Sequence, residues 1–137
     1  MALDRDNLGF LLAKASQRWN ELLSEAFAAA GFPEVRPAYG SLLVPLFEED
    51  GLRQGELARR ARLSKQTLTT MARALERDGL VERRPDPQDA RATRLYLTPR
   101  AQKLRPVAEQ VIERLERQVS ARDRAEGRRI LRRLLDL

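Results

Sequence analysis

Residues 53–98, RQGELARRARLSKQTLTTMARALERDGLVERRPDPQDARATRLYLT, leave this chain little freedom in how to fold. Two short helical patterns meet at Leu63-Ser64, and β-forming residues then flank a stretch rich in Pro and Asp. Ser64 is a good N-cap, so the first pattern stops before it and a second helix starts after it. The first pattern runs from Gln54 to about Ala61 and buries Leu57, Ala58 and Ala61. The second runs from Lys65 to Asp78. Stepping about 100° per residue from Leu68 brings Met71, Ala72 and Leu75 within about 60° of it, one buried stripe. Gln66, Thr70, Arg73 and Arg77 fall on the opposite face, with Thr69 at its edge.

That outward face has the chemistry to read base edges. Gln bonds adenine in a bidentate way, Arg does the same with guanine, and a Thr methyl contacts thymine. Ser64 and Lys65 lie at the N-terminal end, where free N–H groups and the helix dipole favour phosphate. A solvated helix face is the ordinary alternative for any one amphipathic helix. The short helix before it and the hairpin after it argue against that alternative here.

The hairpin is predicted from strands at 80–84 and 94–98, carrying Leu80, Val81, Leu95, Tyr96, Leu97 and Thr98. Between them PDPQDARA is turn chemistry and predicts a long tip. Arg91 and Arg94 flank this tip, with Arg83 and Arg84 on the opposing strand. Asp89, two residues before Arg91, is placed to orient its guanidinium by a salt bridge. An arginine held on a loop can enter a narrow, A·T-rich minor groove, where the negative potential is enhanced. Asp86 and Asp89 are expected in a solvated turn.

The rest of the chain reads as helix. Residues 6–30 carry Leu8, Leu11, Leu12, Ala15, Trp19, Leu22, Leu23, Ala26 and Phe27 on one broad stripe that Gly31 and Pro33 end. A second helix is expected from Pro37 to about Glu49. Thr98 and Pro99 open a helix to about residue 119, in which Pro106 predicts a bend or a late start. Ser120 with Asp123 resembles a capping box for a last helix containing Ile130, Leu131, Leu134 and Leu135.

Charge divides along the chain. Residues 1–52 hold 4 basic and 8 acidic side chains, residues 53–100 hold 12 and 6, and residues 101–137 hold 10 and 6. The basic character therefore begins where the helix-turn-helix begins, as a phosphate-facing module requires. An Arg-rich proteome explains the preference for Arg over Lys, but not the acidic first third. Cys and His are both absent, which removes thiolate sites, thiol switches, the commonest metal ligand and the commonest general base. No run approaches the roughly 18 apolar residues of a membrane span, and the N-terminus lacks a signal-peptide layout. The expectation is a cytoplasmic, non-catalytic protein with no cofactor, no metal and no membrane partner.

On these residues the chain resembles the MarR family of bacterial winged helix-turn-helix regulators. Gln54 to Leu63 with the small Ala58, then Ser64-Lys65-Gln66-Thr67, match its helix-turn-helix. LERDGLVERRPDPQDARATRLYLT, residues 75–98, matches its wing, including Asp89-x-Arg91 and Leu97-Thr98. The resemblance implies a mostly α fold with a small β-hairpin wing. A DNA-binding lobe spans 36–98, and a helical dimerisation region comprises 6–31 and 99–137. It implies a homodimer on double-stranded, pseudo-palindromic DNA, acting as a repressor released by a small aromatic effector. The stripes of the outer helices, wider than one slender chain can bury, agree with a dimer. Leu11, Leu12, Leu131, Leu134 and Leu135 are then its interface candidates. Trp19, Tyr39 and Phe47 are the candidates for an effector pocket, with core packing as their ordinary role. The DNA-binding candidates are Ser64, Lys65, Gln66, Thr69, Thr70, Arg73, Arg77, Arg91 and Arg94. A winged helix that binds a protein or RNA partner instead of duplex DNA is the alternative function, separable by the salt dependence of binding.

Overall fold

The computed structural model describes residues 3–137, which form six α-helices and a three-stranded antiparallel sheet. Helix α1 (Leu8–Ala29) starts where the Asn7 side chain accepts the Phe10 N–H at 2.9 Å. After Gly31 the chain makes a 3-10 turn, Pro37–Tyr39, that leads into α2 (Gly40–Glu48). The single helix expected from Pro37 to Glu49 is thus split, its first turn wound more tightly.

Strand β1 (Leu52–Arg53) precedes α3 (Gln54–Ala61), and α4 (Lys65–Arg77) follows the Ser64 cap, whose hydroxyl accepts the Thr67 N–H at 3.1 Å. Gly79, at φ +76°, ends α4 in a conformation that a Cβ disfavours, and Leu80 N–H reaches back to the Leu75 carbonyl at 2.9 Å. Strands β2 (Val81–Asp86) and β3 (Asp89–Leu97) form the hairpin, and the sheet order is β1-β3-β2. Helix α5 (Pro99–Glu116) starts on a Thr98 cap and α6 (Ala121–Leu135) on a Ser120 cap. Pro106 delays nothing. Helix α5 begins at Pro99 and runs on through Pro106, which lacks only the one N–H a proline must lack.

The hairpin corrects the expected long tip. The strands continue to Asp86 and from Asp89, joined by the two residues Pro87 and Gln88. The register explains how eight turn-forming residues are absorbed. Pro85 faces Thr93, but the next pair is Asp86 with Asp89, so residues 90–92 bulge from β3. Pro85 is tolerated because β2 is an edge strand and needs no donor on its outer side. The two-residue β1, which no periodicity announces, pairs Leu52 with Leu95 and Arg53 with Arg94.

The core lies in the winged lobe and at its junction with α5. Leu42, Leu46, Leu57, Leu68, Leu75, Leu80, Leu95, Leu104 and Val111 are its largest enclosed side chains. Helix α1 joins that core only through its second half, at Leu23 and Phe27, and α6 buries no residue at all. Truncating one of these leucines to Ala costs about 2–5 kcal/mol, the usual penalty for a core cavity. Among the described residues no helix is long and apolar enough to cross a membrane.

Candidate nucleic-acid interface

Helix α4 presents the face its sequence predicts. Leu68, Ala72 and Leu75 are buried, while Lys65, Gln66, Thr70, Arg73 and Arg77 are exposed and Thr69 is half-buried. Among the described residues, Arg73 and Arg77 make no ion pair with an acidic side chain, so both guanidinium groups are free to meet a ligand. Ser64 is occupied with its own helix: its hydroxyl caps Thr67 N–H and lies 2.9 Å from Thr67 Oγ1. The Thr69 hydroxyl donates to the Lys65 carbonyl at 2.8 Å.

Two clefts border this helix. On the wing side, Arg53, Gln54, Lys65, Thr69, Arg91 and Thr93 line a hollow of about 390 Å³. On the other side, Arg36, Tyr39, Gln66, Thr70 and Met71 line one of about 420 Å³. Basic and hydrogen-bonding side chains thus flank the helix on both sides, as a helix seated between phosphate strands requires.

The wing divides its arginines by role. Arg91 sits in the bulge with 93% of its side chain exposed, steered by Asp89, whose Oδ1 accepts from Arg91 N at 3.1 Å and Nε at 3.3 Å. Arg94 faces inward instead. Its Nε donates to Asp86 Oδ2 at 3.0 Å and a terminal NH donates to the Gly51 carbonyl at 2.7 Å. Arg94, one of the expected DNA contacts, thus brackets the wing to the lobe in this structure. Arg83 pairs with Glu76 of α4 at 3.0 Å, and Arg84 pairs with Glu82 and lies 4.6 Å from the Tyr96 ring.

Asp86 is the residue the sequence misplaced. It is 3% exposed rather than in a solvated turn, and its carboxylate accepts from Gln88 N–H at 2.8 Å, Arg53 Nε and Arg94 Nε. The Gln88 N–H does most to hold its carboxyl below the usual carboxylate range, burial opposes it, and Arg53 and Arg94 add to the lowering. Arg53, Gly51 and Tyr96 also went unnoticed, because their partners lie across the sheet and not nearby in sequence. Arg53, just before a predicted helix and close to a basic face, was the one with a local signal.

The three effector candidates do not meet. Trp19 lines an apolar groove of about 550 Å³ with Leu12, Ala15, Val119 and Leu131, between α1 and α6. Phe47 borders a separate hollow of about 400 Å³ between α2 and α5, its ring 5.4 Å from the Arg105 guanidinium. Tyr39 is buried, and its hydroxyl donates to Asp78 Oδ2 at 2.5 Å. Burial first, then that bond to a carboxylate, pushes the Tyr39 hydroxyl above its ordinary pKa. Of the dimer candidates, Leu11, Leu131 and Leu135 are exposed and Leu12 and Leu134 half-buried. Among the described residues no group of three acidic side chains is placed to hold a metal ion.

A two-helix turn ending in α4, a braced wing beside it and helical arms define a winged helix-turn-helix protein. Residues 37–93 match the model of the MarR family, and through that domain the chain resembles its members. Solved structures agree over nearly the whole chain. The crystal structure of MarR is 28% identical, with a TM-score of 0.75, over 99% of this chain and 94% of that one. The PcaV transcriptional regulator of Streptomyces coelicolor, solved with its natural ligand, is 25% identical with a TM-score of 0.80, over 99% and 97% of the two chains. The transcriptional repressor CouR, solved on a 23-mer DNA duplex, is 25% identical with a TM-score of 0.79, over 98% and 99%. A search of curated proteins gave no match.

Proposed function

We propose that this chain is a homodimeric regulator of transcription that binds a pseudo-palindromic operator in double-stranded DNA and acts as a cytoplasmic repressor. The observation that carries the reading is the exposed polar face of α4 beside a wing whose Arg91 is almost fully exposed while its root is tied down. Helix α4 enters the major groove, where Gln66, Thr70 and Arg73 meet base edges and Lys65 meets phosphate. Arg91 enters the adjacent minor groove. A binding role rather than catalysis accords with the family and with neighbours described as transcriptional regulators.

The exposed leucines of α1 and α6 support the dimer. Leu131 and Leu135 are 49% and 58% exposed on a helix that buries nothing within its own chain. A second copy would cover them, and two-fold symmetry then sets half-sites about 10 bp, or roughly 34 Å, apart. Release by a small aromatic effector belongs to the same proposal. The Trp19 groove has the apolar lining for a planar molecule.

Selection of random duplex DNA by the purified protein, followed by sequencing, tests the reading. Enrichment of an inverted repeat, with affinity falling steeply as salt rises, is the expected result. Flat enrichment with a shallow salt slope overturns it in favour of a partner other than duplex DNA.

A further inference from the structure

Between α3 and α4 stands Arg62, at φ 56° and ψ 42°. Among the described residues it is the one non-glycine residue with a positive φ. This is a backbone conformation that a Cβ disfavours and that Gly or Asn ordinarily fills. The turn has no need of an arginine for its own closure. Its bonds are backbone ones, Arg62 N–H to the Arg59 carbonyl at 3.2 Å and Leu63 N–H to the Ala58 carbonyl at 2.9 Å.

The side chain instead reaches the C-terminal end of the chain. A terminal NH of Arg62 donates to the carbonyl of Leu135 at 2.5 Å, and its guanidinium lies 3.9 Å from Asp136 Oδ1. Leu135 is the last residue of α6, so its carbonyl is one of those that a helix end leaves without an internal partner. At its start α6 is fixed as well. Arg124 donates to the carbonyls of Glu116 at 2.9 Å and Val119 at 2.8 Å, and Arg128 pairs with Glu116. A helix with no buried residue is thus clamped at both ends, to α5 at its start and to the helix-turn-helix at its finish.

We propose that Arg62 is a positioning residue that sets the angle between the reading lobe and α6, and so decides which half-site spacing the dimer accepts. The inference rests on the dimeric, DNA-binding reading above. Helix α6 carries the exposed leucines assigned to the partner, while Arg62 stands two residues before the Ser64 cap of α4. One short path therefore joins dimer face and reading helix. Leverage makes the path matter. A 15-residue helix is about 22 Å long, and turning a lever of that length by about 10° moves its end about 4 Å, close to one base-pair rise.

The test uses Arg62→Asn and Arg62→Gly in the full chain, since both residues accept the left-handed backbone and neither reaches Leu135. Binding is measured to a series of duplexes carrying the selected half-site in inverted pairs at increasing spacing, beside melting temperature and sedimentation. The expected result is a wild type that favours one spacing and variants whose preference falls by about fivefold or more, with melting temperature and dimerisation unchanged. Variants that keep the wild-type preference overturn the inference, and so does a uniform loss at every spacing, the mark of a merely structural role. A wild type that binds well but ignores spacing overturns it too. A wild type that binds no duplex removes the regulator reading itself, and the inference with it.

Discussion

Arg94 of β3 reaches Asp86 of β2 diagonally across the hairpin, with Arg94 Nε 3.0 Å from Asp86 Oδ2 and the other end of the guanidinium on the Gly51 carbonyl. Arg53 meets the same carboxylate from β1, so one buried acid joins all three strands. The bulge that carries Arg91 grows from this junction, which ties the aim of an exposed side chain to a buried one.

Asp86→Asn tests that dependence. The variant keeps the shape but gives up the charge that Arg53 and Arg94 share, and it leaves two guanidinium groups against a neutral amide. Weaker binding to A·T-rich flanks is expected, with bases under α4 read as before. The acid side supplies a second readout. The folded-state pKa of Asp86 is lowered, so its contribution to stability is fully present above the unfolded carboxylate range and is lost as pH falls through the lower folded value. Thermal melts across acidic pH check this, and Asp86→Asn loses that portion of the acid slope. An unchanged slope would falsify the bracket.

Gly51 and Tyr96 make a sharper steric claim. Gly51 has φ +73°, and a Cβ built there lies 2.7 Å from Tyr96 Cε1. Gly51→Ala therefore meets two penalties, about 1–2 kcal/mol for the left-handed backbone and about 1–3 kcal/mol for overpacking. Tyr96→Leu in the same chain should relieve the second and leave the first. Chemical denaturation of the single and double variants gives the comparison, and full rescue by Tyr96→Leu would show that the backbone costs nothing.

How far the sequence reached follows the range of the signals. Ser64, Thr98 and Ser120 act within one helical turn, so the starts of α4, α5 and α6 were legible, as was the buried stripe of Leu68, Ala72 and Leu75. Asp86 was not. It looks like a turn residue beside two prolines, and its partners Arg53 and Gly51 belong to a segment whose pairing with β3 no local pattern reveals. The direction of Arg94 is not legible locally for the same reason, since it is set by a carboxylate that only folding brings near. Trp19, Tyr39 and Phe47 share aromatic chemistry and nothing else. Aromatic content names candidates for a pocket, but only packing says whether they meet.

Tyr39 has its own prediction. Its hydroxyl ties the 3-10 turn to Asp78 at the end of α4, so Tyr39→Phe removes one bond while leaving the ring in the core. A loss of about 1 kcal/mol in stability is expected, the usual worth of such a bond. The Tyr39 pKa is raised in the folded state, so its stabilising effect holds below the unfolded tyrosine range and fades as pH rises through the folded value. Denaturation at alkaline pH should then separate wild type from Tyr39→Phe less than denaturation at neutral pH. A gap that widens with pH contradicts the assignment.

Arg73 and Arg91 are both exposed guanidinium groups, Arg91 steered by Asp89, and the proposed function gives them different grooves and hence different phenotypes. Arg73 stands on the exposed face of α4, where the proposed function has it meet a base edge. Its removal should cost about 1–3 kcal/mol of binding and relax the sequence at one position in each half-site. Arg91 stands on a bulge, oriented through Asp89, and in the proposed function it would read groove width and potential rather than a base pattern. Arg91→Ala should leave the preferred core sequence intact and weaken binding chiefly where the flanks are A·T-rich. Asp89→Ala should do the same to a smaller degree, because the guanidinium remains but loses its aim. Competition binding with operators that differ in core or in flank separates the two. If Arg73→Ala binds every sequence as tightly as wild type, α4 is not the helix in the major groove.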